Sequence, residues 1–310
     1  MQKRTFLKAA LMAGTAAMIG MPGMAQDKYK IGFSQGTMNH PWRVAMVEVN
    51  KAYAEANLPD VDLIITDGQN DSAKQVTDVE SLLAQGIQVL MISPLTADAL
   101  TPVVADAMAA GVKVVTMDRK VNTDVTVHIG AENKPIGEQA GKFLIEKLGG
   151  KGNVIELQGT GGASATVDRH DGFMDAINGS ELTVIASQNC DYLRENALKF
   201  MEDQLQRFGP GEIQAVYAHN DEMALGAIQA LENVDRLSEV VVVGIDGQNT
   251  AYEAIKAGKL AATFTYPFVA PEGIEVAYKV AKGEEVPKEI ILPGKQVDAS
   301  NIDEMLGKGF

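Results

Sequence analysis

Residues 89–119 read VLMISPLTADALTPVVADAMAAGVKVVTMDR, and this stretch decides the fold. Two short apolar runs, Val89–Ile92 and Val114–Met117, enclose a segment that predicts a helix ending at Gly111. Neither run alternates apolar and polar residues, so neither resembles a strand with one solvated face. Continuous apolar strands separated by a helix are typical of a parallel sheet that helices cover on both faces.

The same strand–helix unit recurs along most of the chain. Besides the two runs above, strand-like stretches lie at Ile31–Ser34, Leu63–Thr66, Val127–Gly130, Val154–Leu157, Val184–Ser187, Ala215–Ala218 and Val240–Ile245. They form two groups of four, with Val127–Gly130 as an extra short strand between them. This pattern predicts an α/β protein with two doubly wound parallel-sheet domains of similar design.

The rest of the chain adds local signals. Ser72-Ala73-Lys74-Gln75 predicts a capping box at the start of a helix, and Gly86 predicts the end of that helix. After Phe264 come a helix-like run (Pro271–Lys282), a short strand (Ile290–Leu292) and a closing helix from about Asn301. This tail is too short for a third core, so we expect it to complete the two domains.

Composition excludes several classes of protein. The chain has 310 residues, of which 46% are hydrophobic and 22% charged, which suits a globular protein of about two domains. Its net charge of −14 lacks the basic footprint of a nucleic-acid binder. The single cysteine, Cys190, makes no internal disulfide, and the four histidines fit no zinc spacing, so we expect no metal.

The first 25 residues predict a signal peptide. A basic start, Lys3–Lys8, precedes an uncharged stretch over Ala9–Gln26, and Gly23-Met24-Ala25 supplies the small residues for cleavage after Ala25. The apolar run is shorter than the roughly 20 residues that span a bilayer, which disfavours a membrane anchor. Lys3–Lys8 resembles a twin-arginine motif with Lys in place of the first Arg, so both the Tat and the Sec export routes stay open.

Polar side chains follow nearly every predicted strand. They are Ser34-Gln35, Asp67, Ser93, Asp118-Arg119, Gln158-Gly159, Ser187-Gln188, His219-Asn220 and Asp246. Any one of them could simply cap the next helix. Ligands of open α/β sheets bind outside the carboxyl ends of the strands, and the whole set therefore predicts a polar cleft between the domains.

The groups in this cleft suit a neutral polyhydroxyl ligand. Such a ligand needs acceptors and donors that bond neighbouring hydroxyls in pairs, and flat apolar surfaces for its C–H faces. The candidates are Asp118, Asp246 and Asn220 as acceptors, Arg119, Arg169 and Arg43 as donors, and Trp42 and Tyr192 as flat surfaces. Trp42 could instead be a core or hinge residue, and Arg169 could lie on a solvated helix face.

Several motifs resemble those of periplasmic sugar-binding proteins of the ribose-binding type, which serve ATP-driven (ABC) importers. The most specific are Asp118-Arg119, Glu156-Leu157-Gln158-Gly159 and Asn220–Gly226, and the resemblance spans roughly residues 28 to 306. The family pattern places ligand contacts on His40, Trp42, Arg43, Ser93, Asp118, Arg119, Arg169, Tyr192, Asn220, Asp246 and Tyr266.

This resemblance implies a type I periplasmic binding protein with a hinge that the chain crosses three times, near Ala131, Tyr266 and Pro293. Residues 26–131 and 267–292 would form one domain, and residues 132–266 and 293–310 the other. It implies a periplasmic monomer that closes on a monosaccharide and docks on an ABC permease in the inner membrane, with no catalytic residue, cofactor or nucleic acid.

The motifs also differ from those of ribose binders. Trp42-Arg43 stands where ribose binders carry two aromatics, and His40, Ser93 and Tyr266 replace amide side chains. Trp42-Arg43 and Tyr217–Asp221 resemble the galactofuranose-binding branch more closely. We therefore expect a furanose-form aldose, such as galactofuranose, or a pentose; the alternatives are a sugar-alcohol binder or a chemoreceptor-linked sugar sensor.

An exported NAD-type oxidoreductase is the enzyme alternative. Gly159–Ser164 follows a strand and opens a helix, like a dinucleotide fingerprint, but Ser164 replaces its third Gly. The next strand ends at Ser187-Gln188 without the acidic residue that would hold a ribose hydroxyl. We expect this loop to contact the ligand or the partner domain instead.

Overall fold

A computed structural model describes residues 28–310, so the predicted signal peptide lies outside the described residues. The first domain begins with β1 (Tyr29–Gln35), α1 (Pro41–Asn57), β2 (Val61–Asp67), α2 (Ser72–Ala84), β3 (Val89–Ser93), α3 (Ala97–Ala109), β4 (Lys113–Met117) and β5 (Val127–Gly130). The second contains α4 (Asn133–Leu148), β6 (Lys151–Gln158), α5 (Ser164–Ile177), β7 (Glu181–Asn189), α6 (Arg194–Arg207), β8 (Ala215–Ala218), α7 (Asp221–Asn233), β9 (Val241–Asp246), α8 (Asn249–Lys256) and β10 (Ala262–Thr265).

The tail contributes to both domains. It contains α9 (Glu272–Ala281), β11 (Glu289–Ile291), β12 (Gln296–Asp298) and the short α10 (Ile302–Met305). The first sheet has the order β11-β5-β4-β3-β1-β2, and the second β12-β10-β9-β8-β6-β7. All strand pairs are parallel except β10 with β12, which is antiparallel. The prediction of two doubly wound domains is therefore confirmed.

The strand orders place the carboxyl ends where a ligand can bind. In each sheet the chain starts at an inner strand, winds one way and then the other, which creates a topological switch point between β1 and β3 and between β6 and β8. Gln35 and Ser93 lie side by side at the end of the first pair, and Leu157 and Ala218 near the end of the second. Polar loops that leave these strands therefore converge on one side of each sheet.

The chain passes between the sheets three times, as the three-crossing fold requires. β5 is in the first sheet and β6 in the second, β10 is in the second and β11 in the first, and β12 is again in the second. On this basis we propose the division into residues 26–131 plus 267–292 and residues 132–266 plus 293–310.

Two local predictions were wrong or incomplete. The N-cap of α2 is Asp71, whose carboxylate accepts from the backbone N–H groups of Ala73 and Lys74, so Ser72 is already inside the helix and no capping box forms. The sequence pattern also missed β10 and β12. Both are very short, and β12 is held only by its antiparallel pairing with β10, which no local period of apolar residues reveals.

Candidate ligand-binding site

The loops at the strand ends enclose a small cavity between the two domains. Its walls are His40, Trp42, Arg43, Asp118, Ala165, Arg169, Tyr192, Asn220, Asp246 and Tyr266. The first four come from the loop and helix after β1 and from the end of β4. The others come from the second domain and from the second crossing, near Tyr266. Because the walls come from both domains, a ligand in this cavity would contact both of them.

Asp118 is the centre of the first-domain wall. One carboxylate oxygen accepts from the Tyr266 hydroxyl at 2.6 Å, and the other lies 2.5 Å from Nη1 of Arg43. Ser93 joins the group, because its hydroxyl accepts from Arg43 at 2.7 Å. Burial alone would raise the pKa of Asp118, but Arg43 and Arg119 more than offset it, so the pKa lies below its usual value and the carboxylate is ionised.

Arg169, Asn220 and Asp246 form the polar part of the second-domain wall. Arg169 extends from α5 and donates to the Asn133 side chain at 2.9 Å and to the carbonyl of His219, so it is buried rather than on a solvated helix face. Asn220 caps α7 by accepting from the N–H of Met223. Burial raises the pKa of Asp246 well above its usual value; Arg169 opposes this and Asp221 reinforces it.

Three aromatic side chains supply flat surfaces. The rings of Trp42 and Tyr266 lie 5.4 Å apart at 35°, and the Trp42 indole N–H donates to the Tyr266 carbonyl at 3.1 Å. The Arg169 guanidinium lies 4.4 Å from the centre of the Tyr266 ring. Tyr192 lies between Arg119 and Arg169, at 5.5 and 5.8 Å from its ring centre. The two readings of Trp42 are thus compatible: it belongs to the core and also lines the cavity.

Several buried polar atoms near the cavity have no protein partner within residues 28–310. They are both ring nitrogens of His40, Nε of Arg43, and Nε and Nη2 of Arg119. Burial lowers the pKa of Arg119 to about 10, and Arg43 adds to this effect. Burial and the neighbouring arginines lower the pKa of His40 well below its usual value, so the ring is neutral at pH 7. Buried polar atoms without partners are costly, and a ligand with hydroxyl groups, which both donate and accept, would satisfy those on His40 and Arg43 that face the cavity.

The backbone is unusual at the same place. Asp118, Tyr192 and Asp246 have φ values of 65°, 63° and 132°, in the half of φ space that non-glycine residues rarely occupy. Such conformations persist only where the surroundings impose them, and they concentrate at binding sites. All three residues line the cavity.

Nine of the eleven predicted site residues line the cavity, and two do not. Ser93 lies behind Arg43 and Asp118, and Arg119 lies against Tyr192 with its Nη1 bonded to the Leu95 carbonyl at 2.7 Å. The sequence reasoning missed Ala165, which lines the cavity from α5. It also missed Asn133, whose amide bridges Arg169 and the Tyr266 hydroxyl.

A second group that the sequence reasoning missed consists of Glu156 and its hydrogen-bonded histidines, which support the residues of the cavity wall. Glu156 is fully buried and accepts from Nε2 of His219 at 3.0 Å and from the His170 ring at 2.9 Å. Burial opposes ionisation of Glu156, but the hydrogen bond and charge of His219 lower its pKa to about 2. This carboxylate therefore fixes His219, whose carbonyl holds Arg169. Glu156 belongs to a motif that carries the resemblance, but the spacing of that motif does not reveal this role.

The loop over Gly159–Ser164 joins the two domains, as expected. The Gly162 carbonyl accepts from the N–H of Ala97 at 3.1 Å, and the Ser164 hydroxyl accepts from the N–H of Lys120 at 2.9 Å. Gly159 lies so close to the Tyr192 ring that a Cβ there would overlap it. The glycines thus serve close packing and contact between the domains, which explains their likeness to a dinucleotide loop.

Comparison with known proteins decides the family. The model of a periplasmic binding protein domain matches residues 31–285. The chain belongs to the periplasmic binding protein family. Its two linked parallel-sheet domains are those of the type I fold of this family.

Individual members of this family are similar over nearly the whole chain. The ribose import binding protein of Bacillus subtilis is 39% identical over 87% of this chain and 87% of its own. The galactofuranose-binding protein of Escherichia coli is 32% identical over 94% and 93%. A solute binding protein of an ABC transporter from Bacillus halodurans, solved with bound myo-inositol, is 30% identical, covers 93% and 100%, and superposes with a TM-score of 0.86.

These comparisons refine the resemblance seen in the motifs. Over the whole length, the chain is more similar to the Bacillus subtilis ribose import binding protein than to the Escherichia coli galactofuranose-binding protein. The galactofuranose likeness therefore rests on local motifs such as Trp42-Arg43. Within residues 28–310, no helix has the length and hydrophobicity needed to cross a membrane.

Proposed function

We propose that this protein is a periplasmic substrate-binding protein that delivers a monosaccharide to an ABC importer. The observation that carries the proposal is a cavity whose walls come from both domains and combine carboxylates, arginines and aromatic rings. A sugar ring presents hydroxyls at its edge and C–H groups on its faces, and this set of walls matches both. The related binding and import proteins support the same function and a non-enzymatic role.

The ligand class we propose is a furanose-form aldose, such as galactofuranose, or a pentose. Trp42-Arg43 supports this choice, because Arg43 fills the place of a second aromatic ring and holds Asp118 at 2.5 Å. The donors without partners on Arg43 and His40 would bond ring and hydroxyl oxygens. A sugar alcohol is the second candidate, since a relative of known structure holds myo-inositol in the same fold.

Thermal unfolding in the presence of candidate ligands tests the function. We expect at least one of D-ribose, L-arabinose, D-galactose, xylitol and myo-inositol to stabilise the mature protein. At 100 times the dissociation constant, a ligand of the folded state adds about 2.7 kcal/mol, which raises the midpoint by roughly 5–10 °C. L-Leucine and L-glutamate serve as controls. A shift with the amino acids and none with any sugar or polyol would contradict the proposal.

Titration of the Trp42 fluorescence gives a local test. Trp42 is the only tryptophan, and it lines the cavity with its indole N–H bonded to Tyr266. We expect a saturable change in emission, with the dissociation constant that calorimetry gives for the same sugar. A Trp42→Phe protein should lose the signal. If a calorimetrically proven ligand leaves the emission unchanged, it does not bind against Trp42.

Export to the periplasm is part of the proposal. We place signal cleavage after Ala25, so that the mature chain begins at Gln26. Mass spectrometry of the periplasmic fraction should show this N-terminus. A protein that retains Met1 and stays in the cytoplasm would contradict both the export and the docking on an inner-membrane permease.

A further inference from the structure

The buried carboxylate of Asp221 lies directly behind the cavity wall but does not line the cavity. Asp221 is the first residue of α7, immediately after the cavity-lining Asn220, and has an exposed fraction of 0%. One oxygen accepts from the Thr263 hydroxyl at 2.6 Å. The other accepts from the backbone N–H groups of Gly247 and Gln248, at 2.8 and 2.9 Å. All three donors belong to segments that follow or flank β9, so Asp221 ties α7 to the end of that strand.

The turn that Asp221 holds is the one that presents Asp246. Asp246 has φ 132° and Gly247 φ 81°, so two successive residues have left-handed backbone. A side chain at Gly247 would crowd the Tyr252 hydroxyl, and a Cβ on Gly244 would overlap the Asp221 carboxylate. A turn of this kind needs fixed partners, and its two N–H groups find theirs on Asp221.

The same turn connects to two further walls of the cavity. The Asp246 carbonyl accepts from the N–H of Tyr266 at 2.9 Å, and the Tyr266 carbonyl accepts from the Trp42 indole at 3.1 Å. A shift of the turn would therefore move Asp246 directly and Tyr266 and Trp42 through their hydrogen bonds. A change of about 1 Å in such a site is enough to lose hydrogen bonds with a bound ligand.

We propose that Asp221 is a positioning residue of the ligand site, which sets ligand affinity by holding the turn over residues 246–248 so that the Asp246 carboxylate faces the cavity. The inference rests on the proposed function, because it takes Asp246 to be a ligand contact. The alternative explanation is that Asp221 only stabilises the start of α7, because a negative charge at the N-terminus of a helix interacts favourably with the helix dipole. In that alternative, changes at Asp221 would affect stability without acting through Asp246.

The first part of the test needs no ligand. Amide hydrogen exchange of the free protein, followed by NMR, reports on the N–H groups of Gly247 and Gln248. In Asp221→Ala, which removes the acceptor of both N–H groups, both should exchange at least about tenfold faster than in the wild type, relative to amides inside β8. Asp203→Ala, at an exposed carboxylate on α6, should leave them unchanged. Equal protection of both amides in Asp221→Ala would overturn the inference, whatever the ligand.

The second part measures affinity in a double-mutant cycle. D-Ribose, L-arabinose, D-galactose and myo-inositol are titrated by calorimetry into the wild type, Asp221→Ala, Asp246→Asn and the double variant. We expect Asp221→Ala to weaken binding about tenfold when Asp246 is present, and less than about twofold in the Asp246→Asn protein. Equal factors in both proteins would mean that Asp221 does not act through Asp246.

Two controls distinguish a variant that fails to fold, or a wrong ligand class, from a failure of the inference about Asp221. Should Asp221→Ala not fold, Thr263→Val removes one of the three donors to Asp221 and should give smaller changes of the same sign in both measurements. If none of the four compounds binds the wild type, the proposed ligand class is wrong, and the exchange measurement still decides whether Asp221 holds the turn.

Discussion

Affinity for the sugar is expected to fall by roughly 30-fold or more when Asp118 is replaced by alanine. The carboxylate is buried and accepts from Tyr266, while its other oxygen pairs with Arg43. A buried sugar hydroxyl that loses its hydrogen bond to this charged acceptor costs about 1.5–3 kcal/mol of binding, a range that includes a loss of about 30-fold. The change leaves the guanidinium of Arg43 in the cavity without its partner.

The same variant should also be less stable. Breaking a buried ion pair by deleting one partner costs about 3–5 kcal/mol, and Asp118 also holds the Tyr266 hydroxyl. Asp106→Ala, which deletes an exposed carboxylate on α3 of the same domain, should change neither affinity nor stability. Calorimetric titration and unfolding midpoints of both variants decide the matter. A lower midpoint with unchanged affinity would make Asp118 a structural residue and remove it from the site.

Gly172→Ala should destabilise the protein by about 1–3 kcal/mol and weaken ligand binding as well. A Cβ on Gly172 would lie closer than 3.0 Å to the Lys134 carbonyl, and one on Gly137 equally close to the Arg169 carbonyl. The backbones of α4 and α5 are therefore in contact. An added methyl group at Gly172 would push the two helices apart, and overpacking of this kind lowers the stability of the folded protein. Because Arg169 lies on α5, its guanidinium moves with that helix.

The unfolding midpoint and the dissociation constant of the Gly172→Ala protein check this prediction. Gly209→Ala is the matched control, because a Cβ there meets only the flexible end of Glu212. Helix propensity alone makes alanine favourable over glycine inside a helix by roughly 1 kcal/mol. A more stable Gly172→Ala protein would therefore show that α4 and α5 separate without cost, and that their contact does not set the position of Arg169.

The sequence predicted the features that depend on local patterns. Apolar runs such as Val89–Ile92 form buried strands wherever a parallel sheet is covered on both faces, so the strands that carry such runs could be read directly. Polar residues at strand ends converge because the carboxyl ends of parallel strands lie together, which explains why Asp118, Asn220 and Asp246 were found. The resemblance then added His40 and Tyr266, and Tyr266 directly follows β10, a strand that the sequence pattern missed.

What the sequence did not predict depends on contacts between distant residues. Asp221 was not distinguished from an ordinary first residue of a helix, because its partners lie 26 to 42 positions further along the chain. The burial of Arg169 likewise depends on the close approach of α4, which Gly137 and Gly172 permit. The capping box failed because Asp71 and Ser72 are both good caps, and local spacing does not choose between them.

The central claim is that a sugar closes the two domains by bonding to both of them. Closure follows if the ligand gains its full set of hydrogen bonds only when Asp118 and Arg43 of one domain meet Arg169 and Asp246 of the other. The natural motion is a bend where the chain crosses between the sheets, near Ala131, Tyr266 and Pro293.

Small-angle X-ray scattering of the mature protein, with and without a saturating sugar from the thermal screen, tests this claim most directly. We expect a smaller radius of gyration with the sugar, and no such change in the Asp118→Ala protein at the same sugar concentration. Calorimetry on the same samples shows whether the sugar is bound. A wild-type protein that binds the sugar at full occupancy with an unchanged radius of gyration would contradict closure and favour a rigid pocket.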